Sequence, residues 1–169
     1  VMREDCVLND RESWVRVRDR WGPYPFQNNI RYLPEADAAD CLVGLIRAQA
    51  ADAPSSRDAA NFGEFIDRVF GEGIARIFMR PYNFKVWAHP PEMMNKHWIG
   101  ERVAVIDVER AVRNVVEKRD DFGWGPNNRF KFPLKGGTGE FYRRIAERLA
   151  DRIELSTAVL RIDAARKVA

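Results

Sequence analysis

The sequence offers little for covalent chemistry. Its 169 residues include only two cysteines and two histidines. Cys6 and Cys41 lie far apart without a CxxC spacing, which argues against a disulfide framework and for two reduced thiols in an intracellular, cytoplasmic protein. His89 and His97 are separated by Pro90 and Pro91 and have no third ligand at zinc spacing, so surface or packing roles are favoured and no metal is expected. Neither a GxSxG elbow nor a Cys/His pair is present, so no catalytic residue can be named. No apolar run approaches the ~20 residues needed to span a bilayer. The opening Val1-Met2-Arg3-Glu4-Asp5-Cys6 also lacks the apolar stretch of a signal peptide, so no membrane partner is expected.

A dominant charge of one sign is missing too. Lys and Arg number 28 against 25 Asp and Glu, a net charge of +3. The two signs are mixed along the chain, so no nucleic-acid partner is expected. A mildly basic chain suits an anionic ligand without specifying one. At 46% hydrophobic and 31% charged, the composition is that of a folded globular chain long enough to bury a core.

Punctuation along the chain divides it into short elements. Val7 and Leu8, the Asn9-Asp10 turn signal, and Trp14, Val15 and Val17 predict a hairpin. The stretch 22–29 is too rich in proline for regular structure. Pro34 followed by Ala36, Cys41, Leu42, Leu45 and Ile46 predicts an amphipathic helix to about residue 51. Asn61 can cap a helix bearing Phe62, Phe65, Ile66, Val69 and Phe70, which Gly71 ends. A further helix through Ile74, Ile77 and Phe78 should stop near Pro81. Asp107 caps a helix with Val108, Ala111, Val112, Val115 and Val116 on one side. Phe130 and Phe132 alternate with polar residues in a strand. Gly136-Gly137-Thr138-Gly139 leads into a helix bearing Phe141, Ile145 and Leu149, and two short strands near Ile153 and Val159–Ile162 close the chain. Leu42, Leu45, Phe65, Ile66, Val112 and Val115 should centre one core shared by the helices at 35–51, 61–70 and 107–118. Strands at 13–19 and 158–163 have few local partners; they are expected to pair with sequence outside this chain, and their open edges would permit self-association.

Three features could carry function. Gly71-Glu72-Gly73 resembles the start of a dinucleotide loop, but Arg76 replaces the third glycine and a helix precedes it, so it is read as a helix-to-helix turn. Gly136-Gly137-Thr138-Gly139 lies between a strand and a helix N-terminus; an anion site and a plain tight connection are equally open. Aromatic residues also cluster with amides and arginine: Tyr24, Phe26 and Gln27; Phe78, Tyr82, Asn83 and Trp87; Trp98, Arg102, Trp124 and Asn127. Aromatic faces stack on a base, amides read its edge and a guanidinium matches a diphosphate. Composition alone leans toward an aromatic core with satisfied amides.

The same clusters carry a family resemblance. Pro23-Tyr24-Pro25-Phe26-Gln27-Asn28-Asn29, Phe78-Met79-Arg80-Pro81-Tyr82-Asn83-Phe84-Lys85-Val86-Trp87-Ala88, Trp98-Ile99-Gly100-Glu101-Arg102-Val103 and Trp124-Gly125-Pro126-Asn127 resemble the UDP-galactopyranose mutase family, particularly its eukaryotic-type branch. The match runs from about residue 11 to 140 in the family's order. It implies an α+β fold: a helical substrate domain with short antiparallel strands, a central fragment of a Rossmann-like FAD flavoprotein. Residues 1–30 would supply sheet strands and a substrate loop, 31–120 the helical domain, and 121–169 the strand, glycine turn, helix and closing strands. The FAD-binding Rossmann domain itself would be absent from this chain.

By resemblance, Tyr24 and Gln27 would address the uracil and Phe78 would stack on it. Asn83 and Trp87 would line the uridine and ribose region, Arg102 would hold the diphosphate or bridge toward the hexose, and Asn127 would lie near the galactose and flavin. Arg11 is a weaker candidate for substrate closure. The parent would be an FAD-dependent isomerase interconverting UDP-galactopyranose and UDP-galactofuranose, with reduced FAD acting at the anomeric carbon. Its partners would be a UDP-sugar and the remaining FAD domain. No cofactor-binding residue is identified in this segment, which alone should bind no FAD and be inactive. Two rivals share parts of the pattern: an FAD-dependent amine-oxidase-like oxidoreductase acting on another substrate, and a non-catalytic nucleotide-binding module.

Overall fold

The computed structural model describes residues 5–50, 53–123 and 128–168. The fold is α+β, mostly helical with short antiparallel strands. It forms two compact units, Asp10–Phe130 and the residues flanking that span at both ends.

The Asp10–Phe130 unit begins with a hairpin. Strand β2 (Trp14–Val17) pairs antiparallel with β3 (Arg20–Pro23). Arg18 and Asp19 between them take φ of 52° and 60°, the doubly left-handed turn that matches strand twist. The hairpin therefore lies one step later than expected at Asn9-Asp10. That dipeptide falls instead at the end of β1 (Cys6–Asp10), whose partner is the distant β4 (Arg129–Pro133). A turn propensity is local, whereas strand pairing is settled by long-range contacts. Strand β2, expected to seek a partner outside the chain, pairs internally.

Helix α1 (Glu35–Ala48) and helix α2 (Phe62–Ile74) form as expected. The Asn61 side chain accepts from the Glu64 N–H at 2.9 Å, and the Glu64 carboxylate accepts from the Ala60 N–H at 2.5 Å, a reciprocal cap. Gly71, with φ of 71° and ψ of 169°, breaks the helical run as expected, and a second helical segment follows it directly. Here the two helices touch backbone to backbone: a Cβ at Gly71 would lie 2.1 Å from the Gly44 carbonyl oxygen, and one at Gly73 2.5 Å from that of Asp40. The glycines of the apparent dinucleotide loop thus serve helix packing, and their space is filled by α1.

A π-helical turn (Ala75–Met79) runs directly into α3 (Arg80–Trp87). This corrects the expectation that helix stops near Pro81. Proline has no N–H to continue the i→i−4 ladder, and the ladder changes to the wider π-helical turn immediately before it. The actual stop is Ala88, left-handed at φ 51°, followed by Pro90 and Pro91. Helix α4 (Val108–Val116) is capped by Asp107, whose carboxylate accepts from the Arg110 N–H.

One core joins α1, α2 and α4 with the turn 26–33. Of the six residues expected at its centre, Leu45 and Ile66 are fully buried, while Leu42, Phe65, Val112 and Val115 sit half-buried at its margin. Phe62, Phe70, Ile74 and Ile30 share the centre instead. Each such side chain contributes about 1.5–3 kcal/mol by leaving water. Cys41 is also fully buried, and burial, then the nearby Asp37 charge, pushes its thiol up to about 12, so it stays protonated and inert.

The second unit holds the β1–β4 ribbon and α5 (Gly139–Arg148). The two closing strands expected near Ile153 and Val159–Ile162 do not form; a single bridge between Asp163 and Val168 is present there. Val159, Leu160 and Ile162 are exposed. An alternating pattern makes a strand only when a partner strand and a covering layer are available. Among the described residues, no helix is long and apolar enough to cross a membrane.

Candidate functional site

Helix α3 and the 3-10 turn Phe26–Asn28 face each other across a cavity of about 240 Å³. Its walls include Tyr24, Gln27, Asn83, Trp87 and Arg102. Five residues singled out in the sequence, up to 78 positions apart by number (102 − 24), thus converge on one pocket.

Each is placed by local structure. Asn83 is buried one turn beyond Met79, and its Nδ2 donates to the Met79 carbonyl at 2.7 Å. Trp87, four residues on, shares its side of α3 and stays half exposed, edge-on to Trp98 at 5.2 Å between ring centres. Trp98 in turn meets Phe62 edge-on at 5.3 Å, which ties the pocket wall to the core. Arg102 ends the turn Gly100–Arg102, and its guanidinium donates to the Trp98 carbonyl at 2.8 Å while remaining exposed.

Gln27 is the most telling residue. It is 2% exposed, and its Nε2 donates to the Ala104 carbonyl, yet its Oε1 is buried without a partner among the described residues. The indole N–H of Trp98 is likewise buried and unpartnered. A stranded buried polar atom costs about 1–3 kcal/mol. Asn28 Oδ1 is buried and unpartnered as well, but Gln27 and Trp98 are the two of these residues that line the pocket. Tyr24 stands against Tyr82 at 6.0 Å between ring centres, and burial, then the Tyr82 hydroxyl beside it, raises its phenol well above the usual range, while Arg11 opposes the rise. Tyr24 therefore remains a neutral hydrogen-bonding group.

Phe78 is placed differently. Its ring stacks on Phe26 at 4.3 Å and on Tyr82 at 4.7 Å, so neighbours in the protein take up its faces, and it does not line this pocket. Tyr82 occupies the wall in its stead, together with Met79, Val86, Trp98 and Val103. The sequence contained a signal for these: Met79, Tyr82, Asn83, Val86 and Trp87 follow helical spacing, and reading residues 80–87 as a helix would have gathered them. Arg11 stacks over Phe130 at 5.4 Å and its N–H donates to the Asn128 carbonyl. Asn127 lies outside the described residues. His89 and His97 are exposed, and among the described residues no three His, Cys, Asp or Glu side chains converge on a metal position.

The fold and this pocket define a class: an α+β chain whose helical part presents a cavity lined by aromatic and amide side chains. No family model matches the chain. A solved structure described as reduced UDP-galactopyranose mutase is 50% identical over 96% of the chain, with a TM-score of 0.80. The resemblance to UDP-galactopyranose mutase is borne out, and this chain corresponds to a segment of such a protein. It spans 34% of that chain's length.

Proposed function

We propose that the chain contributes the nucleotide-sugar-binding part of an FAD-dependent mutase that interconverts UDP-galactopyranose and UDP-galactofuranose. The observation that carries this reading is the convergence of Tyr24, Gln27, Asn83, Trp87 and Arg102 on one cavity that retains an unpartnered Gln27 Oε1. Gln27 and Asn83 would read the edge of the uracil and the ribose, Tyr24 and Tyr82 would present ring surface, and Arg102 would match the diphosphate. Arg102 has the chemistry to stabilise a departing UDP, because a fixed guanidinium meets phosphate oxygens in a two-pronged geometry. UDP should bind saturably to this chain and change the fluorescence of Trp87 and Trp98, whereas citrate at equal concentration should not. Equal responses to both anions would reduce the site to non-specific basicity.

A bound flavin would supply the redox-active nucleophile of the reaction. The described glycine turns of this chain do not fit it. Gly71 and Gly73 are closed off by the α1 backbone. At the start of α5, the Glu140 carboxylate already lies against Gly136, with Arg143 and then Arg144 holding its pKa down to about 2. Both arginines are thus already paired with that carboxylate at the turn. No flavin step is therefore assigned to this chain, and the FAD-binding Rossmann domain belongs to the rest of the parent. The purified chain should accordingly be colourless, and stoichiometric absorbance near ~450 nm would show a flavin site within it.

A further inference from the structure

Three consecutive amides, Gln27, Asn28 and Asn29, are buried at 2%, 1% and 2% exposure. Burying a run of polar side chains is tolerated only where partners are built in. The long-range partners of the Asn28 and Asn29 side chains come from one distant segment, while Asn28 Oδ1 stays buried without a partner among the described residues. Asn28 Nδ2 donates to the Gly123 carbonyl at 3.0 Å. Asn29 Nδ2 donates to the Asp121 carbonyl at 2.8 Å, and its Oδ1 accepts from the Asp121 N–H at 3.0 Å. The same Nδ2 reaches the Pro25 carbonyl at 3.0 Å, which closes the turn on itself.

The Asp121 carboxylate sets this segment in place. Its side chain is 11% exposed and takes both Nε and Nη2 of Arg110 at 2.5 Å. It also accepts from the Gly123 N–H at 2.8 Å and from Asn114 Nδ2 at 3.1 Å. Asn114, buried on α4, donates in addition to the Asn28 carbonyl at 3.0 Å. Helix α4, segment 121–123 and turn 25–29 are thereby locked through one carboxylate, and the residue flanked by the lock is Gln27. Asp121 itself does not line the pocket.

We infer that Asp121 is a positioning residue for the nucleotide site: it fixes the Phe26–Asn28 turn and so presents the Gln27 amide to the base. This rests on the nucleotide-binding reading above. A carboxylate with four donors leaves the turn one conformation, and an amide held in one conformation loses no freedom when a base pairs with it.

The test compares Asp121→Asn, which keeps the shape and removes the charge, with Arg110→Gln, which removes the ion pair and leaves the Gly123 and Asn114 bonds. In this chain, uridine and UDP should both bind Asp121→Asn about tenfold more weakly, by the same factor, because the base contact is shared. Arg110→Gln should move both in the same direction by less. Hydrogen exchange at the Asn28 and Asn29 amides should quicken about tenfold, while Leu45 and Ile66 exchange at the unaltered rate. Unchanged uridine affinity, or exchange quickened equally across the core, would overturn the positioning role. If the unaltered chain binds neither ligand, the nucleotide-binding reading falls. Exchange at Asn28 and Asn29 then separately decides whether Asp121 holds the turn.

Discussion

Arg102→Ala should weaken UDP binding to this chain about thirtyfold and leave uridine binding unchanged. The guanidinium is exposed, ends the short turn Gly100–Arg102, and is steadied by the Trp98 carbonyl at 2.8 Å. A diphosphate seated in the pocket would cover it and remove it from water. Truncating one partner of a desolvated charge pair costs about 2–5 kcal/mol, and the lower end suits an arginine at the pocket's rim. About 2 kcal/mol corresponds to the thirtyfold change. Arg102→Lys should recover only part, since an ammonium replaces a two-pronged fork with a point charge. Thermal stability should shift by no more than ~0.5 kcal/mol, because the one hydrogen bond lost is at the surface. Calorimetric titration with UDP and uridine, beside thermal melts, separates these terms. Unchanged UDP affinity would return Arg102 to a structural role and leave the pocket without its phosphate partner.

Gly71→Ala should act on the fold itself. Gly71 has φ of 71°, and a Cβ there would sit 2.1 Å from the Gly44 oxygen and 2.3 Å from the Gly44 carbonyl carbon. Both are backbone atoms inside α1, so no side chain can rotate away. Relief requires α1 and α2 to part where Cys41, Leu45, Phe70 and Ile74 pack with no exposed surface. At φ 71° and ψ 169°, a region essentially reserved for glycine, a residue with a Cβ adds about 1–3 kcal/mol of strain. Overpacking adds about 1–3 kcal/mol, for a total near 3 kcal/mol and a melting temperature lower by ~10 °C. Gly137→Ala is the control: its φ is 61°, but nothing lies within 4 Å of its Cβ position, so only the strain applies. Similar melting points for the two variants would mean that the α1–α2 contact yields without loss.

The pocket was legible only in part. The family resemblance singles out Tyr24, Gln27, Asn83, Trp87 and Arg102, where composition alone leans toward an aromatic core, and the five share one cavity. Phe78 was chosen for its ring, yet residue type does not reveal that Phe26 and Tyr82 stack upon it. Tyr82 and Trp98 stand in the aromatic clusters of the sequence without a role of their own, because the helix Arg80–Trp87 was not expected and the approach of Trp98 to it is a long-range contact. The Asp121 lock left no trace either, since its members come from α4, segment 121–123 and turn 25–29.

What the sequence determined by itself was local or borne by motif. Asn61 and Asp107 cap helices because a short acceptor meets free N–H groups within its own turn. The amphipathic spacing of α1, α2 and α4 required only the helical period, and the aromatic blocks sufficed for the family resemblance. The tertiary structure alone decided where strands form and which polar atoms remain open. β1 found β4 across more than a hundred residues, whereas among the described residues the apolar Val159, Leu160 and Ile162 found no partner strand. The unpartnered Gln27 Oε1 likewise exists only because Ala104 takes one end of the amide and burial removes water from the other. Strand pairing and hydrogen-bond satisfaction are sums over neighbours brought in by the fold, and no window of sequence contains those neighbours.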